Sequence, residues 1–321
     1  MKKIIMVLVA LLLVGCEQTN NQETNTQQLD SNQITVATTL YPISFLVQEI
    51  GGDYVEVESI ISNGADAHSY EPTIQQMKLA SDAQLFIYLD ESIETFMSKM
   101  LSNIEAGNAQ IIALAENLDL ELEHTHDEED HDHEDDHDHE EEEADHDHDH
   151  EDNHIWLNPM YMIEMAEVVL ENLSAHLPEQ ASTFQQNFEN LKGQLLELDE
   201  AFHELSDAPK PYFMVAHAAY GSWETYGIHQ IPITGILGND EPTQQELIEL
   251  INLGKEHELN YIYYEQNIPS ANAQVIQKEL NLESLELHNL ATITNEELKA
   301  GKNYFDIMYQ NIENLKEEIY K

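Results

Sequence analysis

The sequence predicts an α/β protein of two lobes with mostly parallel sheets, joined by one long connecting helix. Three observations predict it. Short β-rich runs alternate with helical ones from Ile34 to Leu114, the same alternation restarts at Pro211, and residues 178–206 between the two series carry an apolar stripe at helical spacing. Strands separated by helices of this length imply βαβ crossovers, which set neighbouring strands parallel.

In the first lobe, residues 34–39 are β-branched and small, and read as a strand. Residues 42–50 read as a helix that opens on Pro42 and closes at Gly51-Gly52. A strand over 54–61 follows, then a helix over 72–80, a strand over 84–89, a helix over 92–104 and a strand over 110–114. A helix over 159–177 ends this lobe, which is assigned to residues 34–177. In 178–206, Phe184, Phe188, Leu191, Leu195, Leu198 and Phe202 recur at intervals of three and four, so the segment reads as one helix. At ~1.5 Å per residue it spans roughly 40 Å. A single stiff connector permits only small relative movement of the lobes. The second lobe, 207–321, reads as strands over 212–216, 231–236, 261–264 and 285–287, with helices over 243–257, 270–280 and 303–320.

Lys2 and Lys3 precede the apolar stretch 4–14, which is too short for a permanent membrane helix and suits a secretory signal over residues 1–15. Leu13-Val14-Gly15-Cys16 looks like a bacterial lipobox, so Cys16 is expected to carry lipid and hold the chain on the extracytoplasmic side of a cell membrane. Residues 16–33, rich in Asn, Gln and Thr, read as a flexible tether. Removal of the signal leaves 306 residues, enough for two lobes with their own cores. Cys16 is the only cysteine, so any metal is left to nitrogen and oxygen donors.

Net charge is −51, and nucleic acid is excluded as a partner because phosphate contacts need Lys and Arg that the chain lacks. Residues 121–152 hold 20 acids and 9 histidines with almost nothing apolar, too little to offset the entropy of ordering. Imidazole is a good donor to zinc and its neighbours. This run, with His124, His126, His131, His133, His137, His139, His146, His148 and His150, therefore reads as a disordered metal-collecting loop.

Eight histidines lie outside the run. His68, His154 and His217 stand in loops leaving strands or near the lobe boundary, where an α/β fold places ligands. Their separations of 86 and 63 residues match no local zinc signature, and spacing alone leaves each open to a structural or surface role. Solvated or capping roles suit His176, His203, His229 and His257, whereas His288 lies close to the expected cleft. No Gly-x-x-x-x-Gly-Lys loop is present, and the two His-Glu-x-x-His strings, His133-Glu134-Asp135-Asp136-His137 and His150-Glu151-Asp152-Asn153-His154, fall in or at the end of the acidic run and not on an apolar helical stretch.

The local sequences carry a resemblance. Ala65-Asp66-Ala67-His68-Ser69-Tyr70-Glu71-Pro72, Asn153-His154-Ile155-Trp156-Leu157-Asn158-Pro159 and His217-Ala218-Ala219-Tyr220-Gly221-Ser222-Trp223 are similar to the three ligand loops of the metal-binding lipoproteins of bacterial ABC uptake systems for zinc and manganese. The acidic His-rich insert just before the second loop resembles the zinc-specific group, and the likeness runs from Ile34 to the end. It implies a zinc-binding solute-binding protein, not an enzyme and monomeric, with metal in a cleft between the lobes held by His68, His154 and His217. The implied partner is a membrane permease with a separate ATPase. Three imidazoles with a fourth position open is a common zinc arrangement, whereas manganese, the alternative metal, favours more oxygen ligands. Several family members supply a fourth, acidic ligand where this chain has Ala291, so water is the first choice there. Glu265 is a candidate to orient an imidazole or to ligate, and His288 a weaker one. Two rival readings are a surface zinc buffer or adhesin, and a zinc hydrolase.

Overall fold

The computed structural model describes residues 33–118, 154–238, 242–266 and 270–321. The signal, the tether with Cys16 and the His-rich run lie outside the described residues.

The first lobe runs β1 (Ile34–Thr38), α1 (Tyr41–Gly51), β2 (Val55–Ser59), α2 (Ile74–Asp82), β3 (Leu85–Tyr88), α3 (Met97–Ile104) and β4 (Gln110–Ala113). Its sheet is parallel throughout, in the order β2-β1-β3-β4. β1 is central, with Val36 opposite Val57 on one side and Leu85 on the other. Helices cover both faces of such a sheet, so its inner strands are apolar on both sides, as Leu85-Phe86-Ile87-Tyr88 is. The edge strand β2, Val-Glu-Val-Glu-Ser, alternates instead.

α4 (Pro159–His176) and α5 (Ala181–His203) follow, separated by a 3-10 turn at Pro178–Gln180. This corrects the expectation of a single helix over 178–206. Leu177 adopts φ −126 and ψ 68, and the α-helix proper begins only after the turn that Pro178 opens. At its other end the helix stops at His203, so its length is about 35 Å at 1.5 Å per residue. The apolar stripe is as expected: Phe184, Phe188, Leu191, Leu195, Leu198 and Phe202 are all buried.

The second lobe runs β5 (Tyr212–His217), β6 (His229–Thr234), α6 (Gln244–Glu256), β7 (Tyr261–Tyr264), α7 (Ala271–Leu280), β8 (Glu283–Glu286), α8 (Asn295–Lys299) and α9 (Tyr304–Ile319). Its sheet, order β6-β5-β7-β8, repeats the first. Successive side chains of a strand face opposite ways. On β5, Phe213 and Val215 enter the large core shared with the first lobe, while Met214 and Ala216 enter a smaller cluster with Ile231, Ile262 and Ile276.

α5 is fastened at both ends. Near its start Phe184 meets Tyr54 edge-on at 6.0 Å and Asn187 Nδ2 donates to the Ile50 carbonyl at 2.9 Å. Near its end Phe202 packs on Trp223 and Tyr226 at 5.1 and 5.2 Å. Two further bonds join the lobes beside the ligand loops: Trp223 Nε1 donates to the Leu157 carbonyl at 2.9 Å, and the Tyr304 hydroxyl to the Trp156 carbonyl at 2.7 Å. No helix among the described residues is long and apolar enough to cross a membrane.

Candidate metal centre

Each of the three loops is held by its own local chemistry. After β2 the Asp66 carboxylate accepts from the His68 backbone N–H at 3.0 Å and from the Ser69 hydroxyl at 2.6 Å, folding the loop around its acid. Thr73 and Gln76 then form a capping box that starts α2. His154 begins a 3-10 turn, Ile155–Leu157, and Asn158 caps α4 by accepting from Met160 N–H at 2.8 Å, with Pro159 in the first turn. His217 is the last residue of β5, paired with Thr234 of β6. It stands beside the break in strand order between β5 and β7, where open α/β sheets form their binding crevices.

The structure brings the three imidazoles together. Ring centroids are 5.2 Å apart for His68 and His154, 5.3 Å for His68 and His217, and 5.0 Å for His154 and His217. One ring nitrogen from each lies within 4.8 Å of the others, a group that can hold a metal ion. The Nε2 atoms of His68 and His154 are 3.2 Å apart. Two nitrogens on a tetrahedral zinc, each at ~2.0–2.1 Å, stand about 3.3 Å from one another, so this pair already has the required spacing. His154 and His217 are buried, and His68 is partly so.

Burial pushes the His68 pKa down to about 3, assisted by the neighbouring His154 and His217 and opposed by Asp66. Its imidazole is therefore neutral, with a lone pair for a metal, throughout the physiological range.

Glu265, the residue after β7, contacts His217: its Oε1 accepts from Nδ1. The other ring nitrogen, Nε2, stands 2.7 Å from the Ile236 carbonyl. Glu265 is thus a direct, buried hydrogen-bond partner of His217. His288 does not join the trio; its Nδ1 accepts from Leu290 N–H at 2.9 Å, and its Nε2 faces the Glu297 carboxylate at 3.5 Å. That contact, with bonds from Thr294 and Gln266, holds the Glu297 carboxyl well below the usual range. Ala291 lines a small cleft beside His68 with Asp66, Gln266, Asn289 and Thr292, and brings no ligand atom. The remaining histidines have local partners: His176 Nδ1 lies 3.1 Å from the Asn172 carbonyl, His203 lies 3.5 Å from Asp199, and His229 and His257 pack on Tyr212.

Reading residue by residue missed Trp156, Ile236 and Asn289, whose roles depend on contacts across 133, 19 and 24 residues. It also missed Glu94, a buried carboxylate that accepts from Leu89 and Asp90 N–H at the end of β3 and whose pKa burial raises to about 7.

A family model described as "ZnuA: Zinc-uptake complex component A periplasmic" matches residues 36–318. The chain belongs to the ZnuA family. It is 34% identical over 322 residues to the zinc-binding lipoprotein AdcA of Streptococcus pneumoniae (strain ATCC BAA-255 / R6), a match covering 99% of this chain and 61% of that protein. The high-affinity zinc uptake system protein ZnuA of Bacillus subtilis (strain 168) is 28% identical over 319 residues, with 98% of this chain and 96% of that one covered. Among solved structures, the Zn(II)-bound ZnuA-like domain of Streptococcus pneumoniae AdcA superposes with a TM-score of 0.71 at 28% identity, covering 90% of this chain and all of that domain. The two-lobed α/β architecture of the ZnuA family is therefore that of this chain. The chain spans less than two thirds of the length of the AdcA relative.

Proposed function

We propose that this chain is the extracytoplasmic zinc-binding component of an ABC importer, taking zinc at His68, His154 and His217 and presenting it to a membrane permease. The observation that carries the reading is the convergence, within 4.8 Å, of three imidazoles drawn from segments 86 and 63 residues apart. An all-nitrogen trio with room for one more ligand suits zinc better than manganese, which favours oxygen. Water takes the fourth place, because Ala291 offers no donor. Cys16 carries the lipid anchor, and the acidic His-rich run feeds the cleft: His150 lies only four residues before His154, so captured ions stay at high local concentration. The role is transfer of an ion and not catalysis, and ATP hydrolysis belongs to a separate subunit. Family membership and the relatives named for zinc binding and zinc uptake support this reading.

Competitive titration of the mature chain with zinc and manganese tests it. One tight zinc site, with manganese bound much more weakly, is the expected result, and equal affinity for both metals defeats the zinc assignment. Deletion of residues 121–152 should remove several weak zinc equivalents and leave the tight one. Loss of the tight site on deletion would show that the run itself is the binding centre.

The depressed pKa of His68 gives a pH effect with a definite sign. The unfolded chain takes up a proton on this residue near pH 6.5, whereas the folded chain resists it until about pH 3. The metal-free fold therefore carries no penalty from His68 above pH 6.5 and loses stability progressively as pH falls from 6.5 towards 3. Urea midpoints of metal-free wild type and His68→Gln between pH 7 and pH 5 read it. The wild type should lose more over this range, and parallel slopes would show that His68 ionises freely in the fold.

A further inference from the structure

Asn289 lies in the segment between β8 and α8 and touches both lobes at the metal centre. Its side-chain Nδ2 donates to Glu265 Oε2 at 2.5 Å, while Glu265 Oε1 accepts from His217 Nδ1. Its backbone carbonyl accepts the Trp156 indole N–H at 2.6 Å, two residues past His154. Its own Oδ1 accepts from Ala291 N–H at 3.1 Å, which fixes the amide orientation with the NH2 towards the carboxylate. One residue is thus bonded through its side chain to the carboxylate behind the second-lobe imidazole, and through its main chain to the loop of a first-lobe imidazole.

The segment is itself anchored independently of Asn289. The Ala291 carbonyl accepts from Tyr41 N–H at 3.0 Å, Thr292 Oγ1 donates to the Ala65 carbonyl at 3.0 Å, and the Asn311 side chain brackets His288. The amide is therefore presented from a fixed base. A buried carboxylate can turn about its last torsion. With both oxygens occupied, Glu265 is held in one orientation, which fixes the His217 ring beside the other two imidazoles.

Resting on the assignment of the three histidines as zinc ligands, we propose that Asn289 is a positioning residue for the metal centre, fixing Glu265 and hence His217 against His154 across the lobe boundary. It touches no ion. Its effect is on ligand geometry, and through that on affinity and on preference for a tetrahedral ion.

The test uses the mature protein without residues 121–152 and the isosteric variant Asn289→Asp. This variant keeps the backbone carbonyl for Trp156 and an oxygen for Ala291 N–H, but turns an acceptor on Glu265 in place of the donor. Zinc affinity is measured by chelator competition, and cobalt(II), added as the metal alone, reports ligand geometry through its visible bands. Asn289→Asp is expected to bind zinc about 10- to 100-fold more weakly, the range for loss of a partner behind a ligand, with cobalt bands altered in position or intensity. Asn289→Ala should fall between it and wild type. Asn311→Ala loosens the same segment without touching Glu265, so it should lower the melting temperature and keep the wild-type cobalt spectrum. Wild-type affinity and spectrum in Asn289→Asp overturn the proposal, as does an identical spectral change in Asn311→Ala. Absence of a tight zinc site in the wild type would instead refute the three-histidine assignment on which it rests.

Discussion

Replacement of His154 by alanine is expected to weaken zinc binding at the tight site by roughly 100- to 1,000-fold. The estimate follows from structural zinc sites, where about 10–16 kcal/mol is spread over four ligands, so that one ligand accounts for roughly 2.5–4 kcal/mol. His154 is the member of the trio to choose. It is fully buried, its Nε2 already stands 3.2 Å from that of His68, and its removal leaves Asn158 to cap α4 and Trp156 to hold Asn289. The helix and the lobe contact therefore survive the substitution. Chelator competition on the protein lacking residues 121–152 reads the change. A loss below about tenfold would mean that His154 is not a ligand, since ~1.4 kcal/mol is less than one zinc–imidazole bond supplies.

The second large effect is on the fold. Phe202→Ala should destabilise the protein by about 3–5 kcal/mol, because a fully buried ring is removed and a cavity remains. The site is a closed aromatic cluster: Phe202 lies against Trp223 and Tyr226, and Trp223 in turn packs on Tyr220 at 4.7 Å and Phe213 at 6.2 Å. None of these neighbours can collapse without displacing others, so little of the void closes. Chemical denaturation of the metal-free protein measures it. A change under 1 kcal/mol would mean that the end of α5 is not seated in the second lobe.

Much of this architecture is visible in the residues before any coordinates. The inner strands β1, β3, β5 and β7 are apolar because helices cover both faces, and the α5 stripe is legible because one face of a helix must be buried along its whole length. The misreadings fall where tertiary contacts override local pattern. β8 is read as a strand at 285–287 but runs Glu283–Glu286: Glu-Ser-Leu-Glu has almost no apolar signal, and its bounds are set by the parallel ladder with β7 from Tyr261–Glu283 to Tyr264–Glu286. α3 begins at Met97 and not at residue 92, because Glu94 turns inward to accept two backbone N–H groups. α8, five residues long and without an apolar stripe, is marked in the sequence by its capping box, Thr294 to Glu297.

The candidate site divides the same way. The three histidines could be nominated from their loops and from family likeness, but not from spacing, since 86 and 63 residues encode no geometry by themselves. Glu265 was suggested by its place after a central strand. Asn289 was invisible, because nothing local marks an amide whose partner lies 24 residues away on a different loop.

The most direct test is X-ray absorption at the zinc edge on the protein lacking residues 121–152, loaded with one equivalent of zinc. Three imidazole nitrogens at ~2.0–2.1 Å with one oxygen ligand is the predicted result, reduced to two imidazoles in His217→Ala. One imidazole or none in the wild type, or a wild-type signal that His217→Ala leaves unchanged, would contradict a shared centre between the lobes.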